Sequence, residues 1–150
     1  ELGAFNEQTA STWVSYYWGG AMLGRFAGAV ITRYLNALLV LAVHAVVAIA
    51  LLLLTMSQTG MLAAVAVISI GFFNSIMFPT IFTHGINGLG SLTSRGSGLL
   101  CQAIVGGALV PLLQGVAADS MGVQHSFVVP LLAYVYIAGF AVWHWRAGRN

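Results

Sequence analysis

The side chains able to do chemistry are sparse, and nearly all of them lie inside apolar runs. The densest polar group is Asn74 and Ser75 followed by Pro79, Thr80, Thr83 and His84, with Phe78 beside the proline. Proline has no N–H to donate, so the carbonyl about four residues earlier, near Ser75, is released and the helix bends beside Asn74. A released carbonyl and an amide side chain supply acceptors and donors, while Phe78 presents a flat apolar ring. Together they suit a polyhydroxylated ligand, such as a sugar, whose C–H face can stack on the ring. Asn74 can equally bond a neighbouring helix, and Gln102, in a later apolar run, carries the same two readings. Tyr17 and Trp18 belong to an aromatic cluster with Trp13 and Tyr16. Such rings anchor helices at the headgroup layer, but Tyr17 and Trp18 lie deeper and are candidates to face a substrate.

Arg25 is the costliest residue, because a guanidinium at the centre of a membrane helix carries a penalty of about 2.5–3.5 kcal/mol even on lenient scales. Its possible roles are capping or snorkelling to the surface, or gating and coupling. Gly20, Gly24 and Gly28 recur every four residues around it, a spacing that lines one helix face with small residues and lets another backbone approach. Ala103, Gly107, Pro111 and Gly115 repeat the device more loosely. Such faces pack helices and also let them slide. His44, His84, His125 and His144 lack the spacing and the accompanying carboxylates of a helical metal site, so no metal is expected. His44 alone is in mid-helix, as a packing group or a proton relay. No set of acid, base and nucleophile is present, which argues against an enzyme, and Cys101 reads as packing.

The elements that must hold these residues follow from composition. Of 150 residues, 59% are hydrophobic and only 5% charged, against roughly a quarter charged in soluble domains; the mean hydropathy is +0.93. The surroundings are therefore lipid, and five dispersed arginines make no nucleic-acid surface. Lipid admits only helices or closed barrels. Segments 12–31, 37–56, 61–83, 98–118 and 126–145 each approach the 20 or so residues that cross about 30 Å of hydrocarbon, and none alternates with period two as a barrel strand does. The expected fold is all-α and integral to the membrane, with five antiparallel spans. Residues 84–97 read as a glycine-rich loop.

Arg33, Arg95, Arg146 and Arg149 fall at one set of helix ends, and Glu1, Glu7 and Asp119 at the other. The positive-inside rule then puts the carboxyl terminus in the cytoplasm and the amino terminus outside, in a cytoplasmic (inner) membrane. An outward first residue that is not methionine, ahead of an odd number of spans, leads to the expectation that the sequence is part of a longer chain.

Three stretches are similar to a known family. They are Tyr17-Trp18-Gly19-Gly20-Ala21-Met22-Leu23-Gly24-Arg25-Phe26, then Gly71-Phe72-Phe73-Asn74-Ser75-Ile76-Met77-Phe78-Pro79-Thr80-Ile81-Phe82, and Gly106-Gly107-Ala108 with Pro111 and Gln114-Gly115. They resemble the carboxyl-terminal half of major facilitator superfamily sugar permeases of the fucose/galactose/glucose branch, and the glucose/galactose type more than the fucose type. The resemblance covers residues 12–146. It implies a twelve-helix fold of which this chain supplies the last five helices, a missing amino-terminal half as partner, a hexose substrate, and alternating access coupled to a gradient of H+ or Na+, with no other cofactor. It places Asn74, Phe78 and Gln102 at or near the central cavity. Gly24-Arg25 and residues 28–33 resemble a relaxed cytoplasmic loop motif without its acid, and the coupling carboxylates are not in this stretch. The alternative from another class is a non-transporting membrane interaction or assembly subunit that uses the glycine faces only to dock.

Overall fold

The computed structural model describes residues 7–148, with side chains from Ser11 onward, and among these residues every regular element is helical. Helix α1 runs Glu7–Tyr34, α2 Ala37–Ser57, α3 Met61–Asn74 and α4 Met77–Ile86. A short 3-10 turn over Gly90–Leu92 leads into α5, Thr93–Ala103, followed by α6, Gly106–Met121, α7, Val123–Ser126, and α8, Val128–Ala147. Glu1 and Arg149, which enter the orientation argument, lie outside the described residues.

Among the described residues four helical stretches are long and apolar enough to cross a membrane: Ala37–Ser57, Met61–Ile86, Gly90–Met121 and Val123–Ala147. The first helix departs from the expected set of five apolar spans. With 28 residues it is long enough, but Tyr16, Tyr17, Trp18, the glycines and Arg25 dilute its hydropathy. It also runs beyond the expected 12–31. The Thr32 hydroxyl donates to the Gly28 carbonyl at 2.8 Å, the Leu35 N–H to Ile31 at 2.9 Å, and Arg33 sits favourably at the negative end of the helix dipole.

Three other expected spans are interrupted. The run 61–83 breaks at Ser75–Ile76 and continues to Ile86. The run 98–118 starts earlier, at Thr93, and breaks at Ile104–Val105, where Ile104, Val105, Gly107 and Ala108 each donate to the carbonyl three residues back. This local 3-10 winding spans the Gly106-Gly107 pair, a weak point in a helix ladder. The run 126–145 starts at Val123 and is interrupted at Phe127. The stretch read as a loop over 84–97 is therefore mostly helical. Its turn is confined to residues 87–89, where Gly88 takes φ 79°, and to Gly90 at φ 51°, conformations that side chains with a Cβ rarely adopt.

Helix α2 is the centre. The Asn36 side-chain oxygen caps it, accepting from Leu38 N–H at 2.9 Å and Leu39 N–H at 3.3 Å. Leu38, Leu41, Ala45, Ala48, Leu52 and Thr55 are buried at alternating three- and four-residue steps along one stripe. Ile70 and Met77 meet this stripe from α3 and α4, and Tyr134 and Ala141 from α8. In lipid such contacts hold by close packing rather than by exclusion of water, which favours small residues such as Ala45, Ala48 and Ala141 at the seam. At the far end of α2, the Gln124 Nε2 lies within hydrogen-bond distance of three carbonyls, those of Thr55 (3.3 Å), Met56 (3.0 Å) and Gln58 (2.6 Å). The amide thus caps α2 from α7 and ties two loops together. Helix α1 packs on α3, while α5 and α6 meet the rest mainly at α4, α7 and α8 and bury no residue.

Candidate functional site

The α1–α3 contact is made by glycines on both sides. A Cβ on Gly71 would stand 2.6 Å from the Tyr17 carbonyl oxygen and 2.9 Å from ring carbon Cδ2 of Tyr17. One on Gly24 would collide with the Phe72 carbonyl and stand 2.6 Å from Ser75 Oγ, and one on Gly28 would strike the Ile76 side chain. Gly20 is looser, with its nearest neighbour, the Phe72 nitrogen, at 3.8 Å. Gly24 and Gly71 are therefore the positions at which the two backbones meet, while Gly28 makes room for the Ile76 side chain. Gly107 and Gly115, by contrast, have nothing within 4 Å of a Cβ.

Beside this contact lies a cavity of about 370 Å³, open on one side. Tyr17, Trp18, Ala21 and Arg25 line it from α1, at positions that share one helix face. Gly71, Asn74, Ser75, Phe78 and Pro79 line it from α3, the break and the start of α4. Asn74 Nδ2 points at Tyr17 Oη across 3.5 Å, at the limit of a hydrogen bond. The Tyr17 and Trp18 rings meet edge to face at 5.6 Å. Trp18 is 66% and Phe78 52% exposed, so both ring faces remain available on the open side, where Asn74 is also exposed.

The break at Ser75–Ile76 gives the site its shape. In an unbroken helix the carbonyls of Phe72, Phe73 and Ser75 would accept from residues 76, 77 and 79. Here the Ser75 hydroxyl takes the Phe72 carbonyl at 2.7 Å, His44 Nδ1 reaches the Phe73 carbonyl from α2 at 3.0 Å, and Pro79 has no N–H to offer Ser75.

Of the residues singled out from the sequence, Tyr17, Trp18, Arg25, Asn74, Phe78 and Pro79 come together at this cavity. Gly24 and Gly28 lie at the adjoining helix contact. Gln102 does not join them: it is exposed on α5 and lines no part of the cavity. His44 is buried and holds a backbone carbonyl, as a packing histidine does. Ser75, read from the sequence as part of the polar group and as the carbonyl released by the proline, is also a wall residue. Gly71 is a wall residue that the sequence did not mark individually; a glycine inside an apolar helix was the available signal.

A bundle of long apolar helices with a partly polar, aromatic-lined cavity on its flank is a multi-pass membrane protein. Its sequence relatives are sugar transporters. Over 141 residues, 94% of this chain and 34% of the relative, it is 50% identical to the glucose/galactose transporter of Brucella abortus biovar 1. It is 32% identical over 129 residues, 85% of this chain and 30% of the relative, to the L-fucose-proton symporter of Escherichia coli. With the L-fucose-proton symporter of Haemophilus influenzae it shares 35% identity over 127 residues, 79% of this chain and 30% of the relative. The resemblance read from the helix motifs is thus borne out: the chain is homologous to these transporters along nearly its whole length, and it spans about a third of theirs. No family model matches it, and no solved structure shows a significant match.

Proposed function

We propose that the chain forms the carboxyl-terminal part of a secondary carrier for hexoses of the glucose, galactose or fucose kind. The observation that carries this reading is the cavity between α1 and the broken α3–α4 helix, in a chain half identical to a glucose/galactose transporter. Its volume falls within the range of small-molecule sites, about 300–1,000 Å³. Asn74 offers both a donor pair and an acceptor to sugar hydroxyls, and Tyr17 a hydroxyl that does either. Arg25, which lines the cavity from α1, offers a planar fork of donors. Phe78 and Trp18 supply faces for the C–H side of the ring. A cavity with one open side suits a carrier in which a further helical half closes over the sugar and the two halves rock about it.

In this reading the further half lies on the amino-terminal side, supplies the coupling carboxylates and uses a gradient of H+ or Na+. The protein sits in a cytoplasmic membrane with the Arg33 and Arg95 ends of the helices inside. Gln102 on α5 remains a candidate to meet the sugar from the other side once both halves are assembled. The test is uptake of labelled glucose and galactose into vesicles that contain the whole carrier. Saturable uptake that unlabelled hexose suppresses and an ionophore abolishes is the expected result. Uptake no faster than in empty vesicles refutes the proposal and favours a docking subunit.

A further inference from the structure

His44 lines no part of the proposed sugar site, yet from α2 its side chain reaches a carbonyl at the break on which that site depends. It is 7% exposed, lies edge to face with the Phe73 ring at 5.4 Å, and has Nδ1 3.0 Å from the Phe73 carbonyl oxygen. A carbonyl oxygen only accepts, so Nδ1 carries the proton and donates. Phe73 directly precedes Asn74. Its carbonyl is one that a continuous helix would give to the amide of Met77. A side chain from a neighbouring helix that takes such a carbonyl is a recognised cause of a kink. The proline alone accounts only for the Ser75 carbonyl, and the Ser75 hydroxyl only for that of Phe72.

The geometry points to His44 as a positioning residue: by holding the Phe73 carbonyl it fixes the angle between α3 and α4, and so the directions of Asn74 and Phe78 into the cavity. It touches no sugar. The central helix α2, which otherwise only packs, is thereby coupled to the binding wall. This inference rests on the sugar-site reading for its functional consequence, but its structural content stands apart from it.

The experiment compares His44→Leu, His44→Gln and His44→Asn in the whole carrier. Asparagine places an N–H near the position of Nδ1, whereas glutamine places it nearer that of Nε2. Loss of one well-placed hydrogen bond predicts KM for galactose raised up to about tenfold in His44→Leu and His44→Gln. The maximal rate per folded molecule should stay within about twofold, and His44→Asn should return KM to within about threefold of the parent. In parallel, Phe78→Cys in a carrier with Cys101 and every other native cysteine replaced by Ser is labelled with a maleimide without sugar. Its rate should change in His44→Leu or His44→Gln and revert in His44→Asn. Unchanged KM in both Leu and Gln variants overturns the inference, as does a His44→Asn variant no better than glutamine. A parent that transports no hexose refutes the sugar site, and the labelling rates then decide the positioning role by themselves. Where His44→Leu fails to fold, the glutamine and asparagine pair gives the same comparison.

Discussion

Replacing Gly71 with alanine places one methyl group where α1 and α3 touch beside the cavity. Its carbon would lie 2.6 Å from the Tyr17 carbonyl oxygen, whereas ordinary contact begins at 3.4 Å, so the two helices must part by about 0.8 Å or rotate. The atom in the way belongs to a backbone, which cannot turn aside as a side chain does. Overpacking of this kind costs about 1–3 kcal/mol. Alanine in place of glycine recovers up to about 1 kcal/mol of helix propensity, which would blur the result if Gly71→Ala were measured alone. Gly139→Ala on α8 removes the ambiguity, because a Cβ there has nothing within 4 Å and keeps only the propensity gain. The expected difference between the two variants is therefore about 1–3 kcal/mol, read as denaturant or thermal unfolding in one detergent. Because Tyr17 is also a wall of the cavity, Gly71→Ala should weaken galactose binding as well, while Gly139→Ala should not. A Gly71→Ala variant as stable as Gly139→Ala, with unaltered affinity, would refute the backbone contact and the cavity geometry built on it.

Further outcomes follow from the same geometry. Asn74→Ala and Phe78→Ala should each weaken hexose affinity several-fold in the whole carrier with little loss of expression, checked by titration calorimetry of the purified protein; full affinity in both would remove them from the site. Gln102→Ala should change the affinity less than Asn74→Ala does, since its side chain lines no part of this cavity. Gln124→Ala removes an amide whose two N–H groups are shared among three carbonyls at and just beyond the end of α2 and should lower stability by about 1–3 kcal/mol, seen in unfolding curves. Asn36→Ala, at the other end of α2, should cost about 1 kcal/mol, by the same measurement.

The helical, membrane-spanning character was legible because lipid leaves the chain few options: long apolar runs at close spacing have only one regular structure available. The bend before Pro79 was legible for a similar reason, since a missing N–H has a fixed address four residues back. What escaped was set by partners distant in sequence. Nothing about His44 announces that it takes the Phe73 carbonyl, 29 residues away, or about Gln124 that it closes the end of α2. The break at Ile104–Val105 was not legible, because no proline marks it and the 3-10 winding is carried by the Gly106-Gly107 pair, whose spacing reads equally as a packing face. The length of α1 was underestimated because its polar and aromatic residues, which make it a cavity wall, also lower its hydropathy. In the candidate site, residues from α1 and from α3–α4 line one cavity, a proximity set by the α1–α3 packing and not readable from their types. Gln102 shares their chemistry, but the fold does not place it at the cavity.

The central claim is that the cavity between α1 and α3–α4 holds a hexose, and protection of a cysteine placed in its wall tests it most directly. Ala21 lines the cavity, and Ala21→Cys in a carrier with Cys101 and every other native cysteine replaced by Ser gives a single reactive thiol there. In the whole carrier, saturating galactose should slow maleimide labelling of this thiol several-fold, while sorbitol and a Gly139→Cys control show no change. An identical labelling rate with and without galactose, in a carrier that still takes up the sugar, would place the binding site elsewhere and contradict the account.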